Sequence, residues 1–155
     1  MAIKTRFAPA LMAFLVLFQT QLLADESADA ILGIWHTTDD KSQVEVFKRD
    51  KQYCAKVISL KEPNWPADEK GGAAGKPKND RNNPNPKLRD RPIVGIEFMN
   101  GFVHAGKNRW VDGKIYDPES GKTYQCKMTL VATNKLEVRG FVGISLLGRT
   151  VEWTR

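Results

Sequence analysis

Residues 122–142 read KTYQCKMTLVATNKLEVRGFV, and the fold class follows from how their side chains alternate. In the first part Tyr124, Cys126, Met128 and Leu130 share one face, while Gln125, Lys127 and Thr129 share the other. In the second part Leu136, Val138, Gly140 and Val142 oppose Glu137, Arg139 and Phe141. A period of two places one side chain in every pair on a buried face, as in a half-buried β-strand.

The same reading extends outward in both directions. Strand-like segments are predicted at 31–36, 43–47, 53–60, 92–99, 108–116, 122–131, 135–142 and 144–155. Asn100-Gly101 is expected to turn the chain after the fourth, and Asp112-Gly113 to bulge or bend the fifth. Eight such segments with mostly short connections suffice to close an antiparallel β-barrel, which removes exposed sheet edges. In the last segment Leu147, Arg149, Val151 and Trp153 lie together, so Arg149 stands on an otherwise apolar face and needs a partner or an opening to water. No stretch after the N-terminal segment shows a sustained helical period.

Residues 61–91 break the pattern. They hold five of the eight prolines, and eight basic residues against five acidic ones. A polar loop this long in a compact domain is usually functional or disordered. Its first half, through Lys78, reads as flexible. Its second half, from Asp80 to Pro86, is dense in Asx turn formers and is expected to be ordered.

The N-terminus reads as an export signal. Lys4 and Arg6 precede an apolar core at 8–18 that is too short to span a bilayer as a helix. Cleavage is expected after Ala24, with Ala28 and Ala30 as alternative exits. Residues 25–30 then form a short linker and 31–155 a single domain, predicted to be periplasmic, with no transmembrane span in the mature chain. Losing residues 1–24 removes two positive charges and no acid, so the net charge falls from +6 to +4. That excess favours anionic envelope components over nucleic acid. In an oxidising compartment Cys54 and Cys126 are a candidate disulfide, worth about 3–4 kcal/mol if formed; buried free thiols are the alternative.

Catalytic chemistry is not legible. His36 and His104 are the two histidines, and both are expected at the surface. No Cys or His cluster has zinc spacing. Asp80, Asn82 and Asn83 form an oxygen-rich run, but without the ligand series of a calcium loop. The carboxylates Glu97, Asp112, Asp117 and Glu119 do not define a catalytic pair, and Asp117 and Glu119 read as a turn. No catalytic residue, metal or cofactor is assigned. Trp110, Tyr116, Tyr124 and Arg149 are candidates to line a ligand pocket at a barrel mouth.

Several longer motifs carry a resemblance. Residues 80–95 (DRNNPNPKLRDRPIVG), 110–126 (WVDGKIYDPESGKTYQC) and 139–153 (RGFVGISLLGRTVEW), together with Gly33-Ile34-Trp35, resemble the signatures of an uncharacterised family of exported bacterial proteins, domain of unknown function 2147. The resemblance covers nearly all of 31–155. It marks Asp80, Asn82, Asn83, Pro84, Arg89, Arg91, Asp117 and Gly121 as motif residues expected to hold the loop. Gly33-x-Trp35 with a basic residue late in the chain is similar to the lipocalin pattern, in which a Trp at the closed end of the barrel packs under an Arg. Gly33 and Trp35 with Arg149 or Arg155 are the candidates here. The resemblance implies a lipocalin-like fold more than an activity. The barrel strand count, the lack of catalytic clusters and the ordered polar loop lead to a non-enzymatic domain that binds a small apolar or amphipathic molecule or serves as an envelope accessory; the alternative is a structural or interaction protein of the envelope acting through the basic loop at 61–91, and an unrecognised hydrolase is the third reading.

Overall fold

The computed structural model describes residues 27–155, so the predicted signal segment and its preferred exit at Ala24 lie outside the described residues. Eight strands follow one another around a closed antiparallel barrel: β1 (Gly33–His36), β2 (Ser42–Arg49), β3 (Gln52–Leu60), β4 (Glu97–His104), β5 (Arg109–Asp117), β6 (Lys122–Ala132), β7 (Lys135–Phe141) and β8 (Gly148–Thr154). Each strand pairs with the next in sequence. The His36–Thr154 pairing of β1 with β8 completes the ring.

The alternation is realised from Cys126 to Leu130 and from Leu136 to Val138, but Val142, expected on the inward face, lies beyond the end of β7 and is exposed. Met128 pairs with Val138 and Leu130 with Leu136 across β6 and β7, and all four are buried. The fourth strand departs from the expectation. It starts at Glu97, and Asn100-Gly101 lies inside it instead of turning the chain after it. The reason is a change of phase. Ile96, Phe98, Met99 and Phe102 are all buried, which strict alternation forbids; the register with β3 shifts twice, between Glu97 and Met99 opposite Lys56 and Ala55, and between Met99 and Phe102 opposite Ala55 and Tyr53, where Gly101 lies at φ +81°. The chain turns instead at 105–108, where the Ala105 N–H donates to the Arg109 carbonyl. The expected irregularity at Asp112-Gly113 is present, with Asp112 at φ +62° and a register shift between Trp110 and Gly113. Gly113 lies against the Phe102 ring so closely that a Cβ would stand 2.4 Å from its carbons.

The barrel interior is filled by side chains, among them Trp35, Tyr53, Phe98, Phe102, Trp110 and Trp153. One end is sealed by residues 27–32. There the indole N–H of Trp35 donates to the Ile31 carbonyl at 2.8 Å and that of Trp110 to the Ala28 carbonyl at 3.1 Å. Asp29 accepts from Lys48 at 2.7 Å and Tyr53 at 2.6 Å, and these bonds hold its carboxyl below the usual carboxylate range. The Arg155 guanidinium lies 4.3 Å over the Trp35 ring and donates to the Ala30 and Leu32 carbonyls. Arg155 therefore takes the closing role offered to it or Arg149. Arg149 is exposed near the opposite end of β8 and does not reach Trp35.

Cys54 and Cys126 are free and buried. They face different surroundings: Cys126 lies in the core cluster inside the barrel, whereas Cys54 lies near Glu97 and Arg49. Burial pushes the Cys126 thiol up to about 12.

Candidate functional site at the loop-bearing end of the barrel

In an up-and-down barrel the ends of the odd strands and the starts of the even ones share a rim. Residues 37–41, 61–96, 118–121 and 142–147 make up this rim, opposite the sealed end.

Its polar side is organised around one carboxylate. Asp80 is fully buried. Its Oδ1 accepts from the Tyr116 hydroxyl at 2.6 Å, and its Oδ2 accepts from Asn83 Nδ2 at 2.7 Å and Arg91 Nε at 2.9 Å, with Arg91 Nη2 at 2.8 Å. A buried carboxylate is tolerated only with such partners. The Asp80 N–H donates to the Arg91 carbonyl, and Arg89 Nε donates to the Asn83 carbonyl, so two arginines close the loop on itself. Burial, then the Asp80 carboxylate, pushes the Tyr116 hydroxyl up to about 12. Asn83 Oδ1 accepts the Asn85 N–H across the exposed Pro84. Asn82 Nδ2 donates to the Glu119 carbonyl at 2.7 Å, tying the loop to the β5–β6 turn. Asp117 shapes that turn by accepting from the Glu119 N–H and the Ser120 hydroxyl. Gly121, at φ +67°, lies so close to the Asn82 carbonyl that a Cβ would meet its oxygen at 2.0 Å. The oxygen-rich run thus supplies turns and an ion pair, and a cation at Asp80 would have to displace Arg91. Among the described residues no group of three or more His, Cys, Asp or Glu is placed to hold a metal.

The first half of the long loop is also folded, contrary to the flexible reading. Asn64 bridges Pro77, the Trp65 N–H donates to the Lys76 carbonyl, and Arg81 stacks 3.7 Å over the Trp65 ring while pairing with Glu69. Alternating glycine and proline hid these long-range bonds from a local reading. A cleft of about 540 Å³ opens here, lined by Trp65, Gly71, Gly72, Lys76, Asn79 and Asp90 among others. A shallower one of about 290 Å³ lies beside His36, Thr38, Asp40 and Glu152. Both lie outside the barrel interior.

The four pocket candidates do not converge. Trp110 is fully buried at the sealed end, edge-on to Tyr53, and does not reach the rim. Tyr116 is engaged by Asp80. Tyr124 is half-buried beside Gly140, and Arg149 is exposed opposite Gly140. His36 is paired with Asp40 at the surface, but His104 is partly buried against Trp110, 5.1 Å between ring centroids.

The rim's other side was misread as strand. Residues 142–147 lie between β7 and β8, and Val142, Ile144, Leu146 and Leu147 are 65, 64, 86 and 69% exposed. Arg139 fixes this loop from the outer face of β7, donating to the Ser145 carbonyl through Nε at 2.9 Å and Nη2 at 2.7 Å, and to Thr150 Oγ1 at 2.8 Å. Gly143 and Gly148, flanking the apolar run, were the available signal for a turn.

A closed eight-stranded barrel sealed by a Trp–Arg contact and carrying its longest loop at the other end is lipocalin-like in architecture. The chain belongs to DUF2147, an uncharacterised protein family conserved in bacteria, which it matches over residues 33–155. Its structure is similar to that of protein HP1028 from the human pathogen Helicobacter pylori, described as belonging to the lipocalin family, with 29% sequence identity, a TM-score of 0.67, and coverage of 80% of this chain and 81% of that one. A comparison with curated proteins finds no match.

Proposed function

We propose that the chain is an exported, non-enzymatic binding protein that holds a small apolar or amphipathic molecule at the loop-bearing rim of its barrel. The observation that carries this reading is the rim itself, where the loop bearing exposed Val142, Ile144, Leu146 and Leu147 follows closely on Gly140, beside which Ile115 and half-buried Tyr124 lie. A cluster of large exposed apolar side chains on one short loop marks a contact site. The filled interior moves the ligand from a deep calyx to the mouth. The lipocalin family named for the similar H. pylori protein agrees with a binding role. A fluorescent fatty acid titrated into the purified protein should bind saturably, and Tyr124→Ala should weaken it. No saturable binding across chain lengths would overturn the reading.

Export after Ala24 is part of the same proposal. A cut at Ala28 or Ala30 would remove Asp29 or leave it at the new terminus, and both cuts would disturb the seal at Trp110 and Tyr53. The mass of the protein recovered from the periplasmic fraction should correspond to a chain starting at Asp25; recovery of an intact N-terminus in the cytoplasm would exclude it.

A second reading is envelope attachment through the loop at 61–91. The cleft beside Trp65, with Lys76, Asn79 and Asp90 on its walls, favours it. Deleting residues 67–78 should then reduce association with the envelope fraction while the barrel stays folded.

A further inference from the structure

Along the chain, the apolar loop at 142–147 is bracketed by basic residues alone. From Val138 to Val151 there is no acid, while Arg139 and Arg149 bracket the loop. Lys127 lies directly across from Arg139 on β6, and Lys122 begins that strand at the same rim. Among the described residues Lys122, Lys127 and Arg149 have no carboxylate partner. On the neighbouring strand Asp117 stands directly across from Lys122, so the corner at the β5–β6 turn is mixed in charge, and Glu152 is taken by Lys135 at 3.1 Å. Leu146, at 86% exposure, is the most exposed large apolar side chain of the loop, and the grip of Arg139 on the Ser145 and Leu146 carbonyls holds the tip in place.

We propose that this loop docks the protein on an anionic phospholipid surface, with Ile144, Leu146 and Leu147 entering the headgroup–acyl boundary and Lys127 and Arg149 meeting the lipid phosphates. Apolar insertion combined with attraction of basic residues to anionic lipid is the physical basis of peripheral membrane binding. The charge selects lipid over a second copy of the chain. A two-fold contact would bring the same patch together from both partners, setting unneutralised cations against each other. The proposal deepens the binding function by naming where an amphipathic ligand is collected or delivered, but it needs only the loop and its cations.

The test is co-sedimentation of the protein recovered from cells with vesicles of phosphatidylcholine alone or of phosphatidylcholine with phosphatidylglycerol. Binding should require phosphatidylglycerol and weaken as salt is added. Lys127→Gln and Arg149→Gln should each weaken it about fivefold. The double variant Leu146→Asp with Leu147→Asp should weaken it at least about tenfold, with an unchanged thermal midpoint showing that the barrel is intact. No binding to anionic vesicles, or wild-type binding by the double variant, would overturn the proposal. So would a concentration-dependent dimer that the double variant abolishes in a protein that ignores vesicles. The fluorescent fatty acid is titrated in parallel. Its failure with vesicle binding intact overturns only the ligand reading, and the reverse overturns only the docking loop.

Discussion

Asp80 concentrates more of the loop's order than any other residue in it. Its carboxylate is buried and met by Tyr116, Asn83 and Arg91. Removing one partner of a buried pair leaves the others without an acceptor. Asp80→Ala should therefore destabilise the protein by about 3 kcal/mol, read as a lower midpoint in urea unfolding. Tyr116 gives a pH test of the same contact. Its hydroxyl is raised from 10.0 to about 12, so the folded state holds the proton more tightly than the unfolded chain. The stability this contributes is whole below pH 10 and is lost as pH rises towards 12. Tyr116→Phe should lose less stability than wild type across that window; part of the loss should persist, because the Tyr53 hydroxyl is raised as well. Denaturant titrations at stepped alkaline pH measure both. The Asx turns were legible in the run from Asp80 to Pro86. The role of Tyr116 was not, because its partner lies 36 residues away.

The elements that differ most from expectation are β4 and the β7–β8 loop, and both are failures of local periodicity. Burial of both Phe98 and Met99 goes with the register shift between Glu97 and Met99, and burial of Phe102 with the second shift at Gly101, so no single alternation runs through β4. In the β7–β8 loop apolar residues continue past the end of the strand, so hydrophobicity without alternation was read as strand. The docking of the long loop is a property of two elements at once. Gly121 must lack a side chain because the Asn82 carbonyl occupies that space, and its positive φ disfavours any replacement. Gly121→Ala should loosen residues 79–92 from the β5–β6 turn. Hydrogen exchange should then rise in that segment and at the turn, while β6 and β7 stay protected. Equal exchange in the two proteins would show that the loop is held by the Asp80 contacts alone.

For the whole molecule, the decisive contacts are those that close the barrel. The seal uses residues 27–32, which precede β1 and carry little pattern of their own. A chain beginning at Ile31 loses the Ala28 carbonyl, and a buried Trp110 indole N–H without an acceptor costs about 1–3 kcal/mol. Its thermal midpoint should fall relative to a chain beginning at Asp25, by scanning calorimetry. Equal midpoints would show that the turn is dispensable. Among the described residues no helix is long and apolar enough to cross a membrane.

By itself the sequence determined the eight strands, their order and the inward faces of β6 and β7. Those depend on side chains two residues apart, and neighbouring strands in a meander pair with their sequence neighbours. The resemblance to the lipocalin pattern added Trp35 and a late arginine as expected partners. Only the tertiary structure decided that the arginine is Arg155, that the cysteines occupy separate environments, and that Trp110 belongs to the sealed end. It also decided that the apolar run at 142–147 faces outward. Each of these rests on which residues closure of the barrel brings together, and closure joins parts of the chain as far apart as His36 and Thr154.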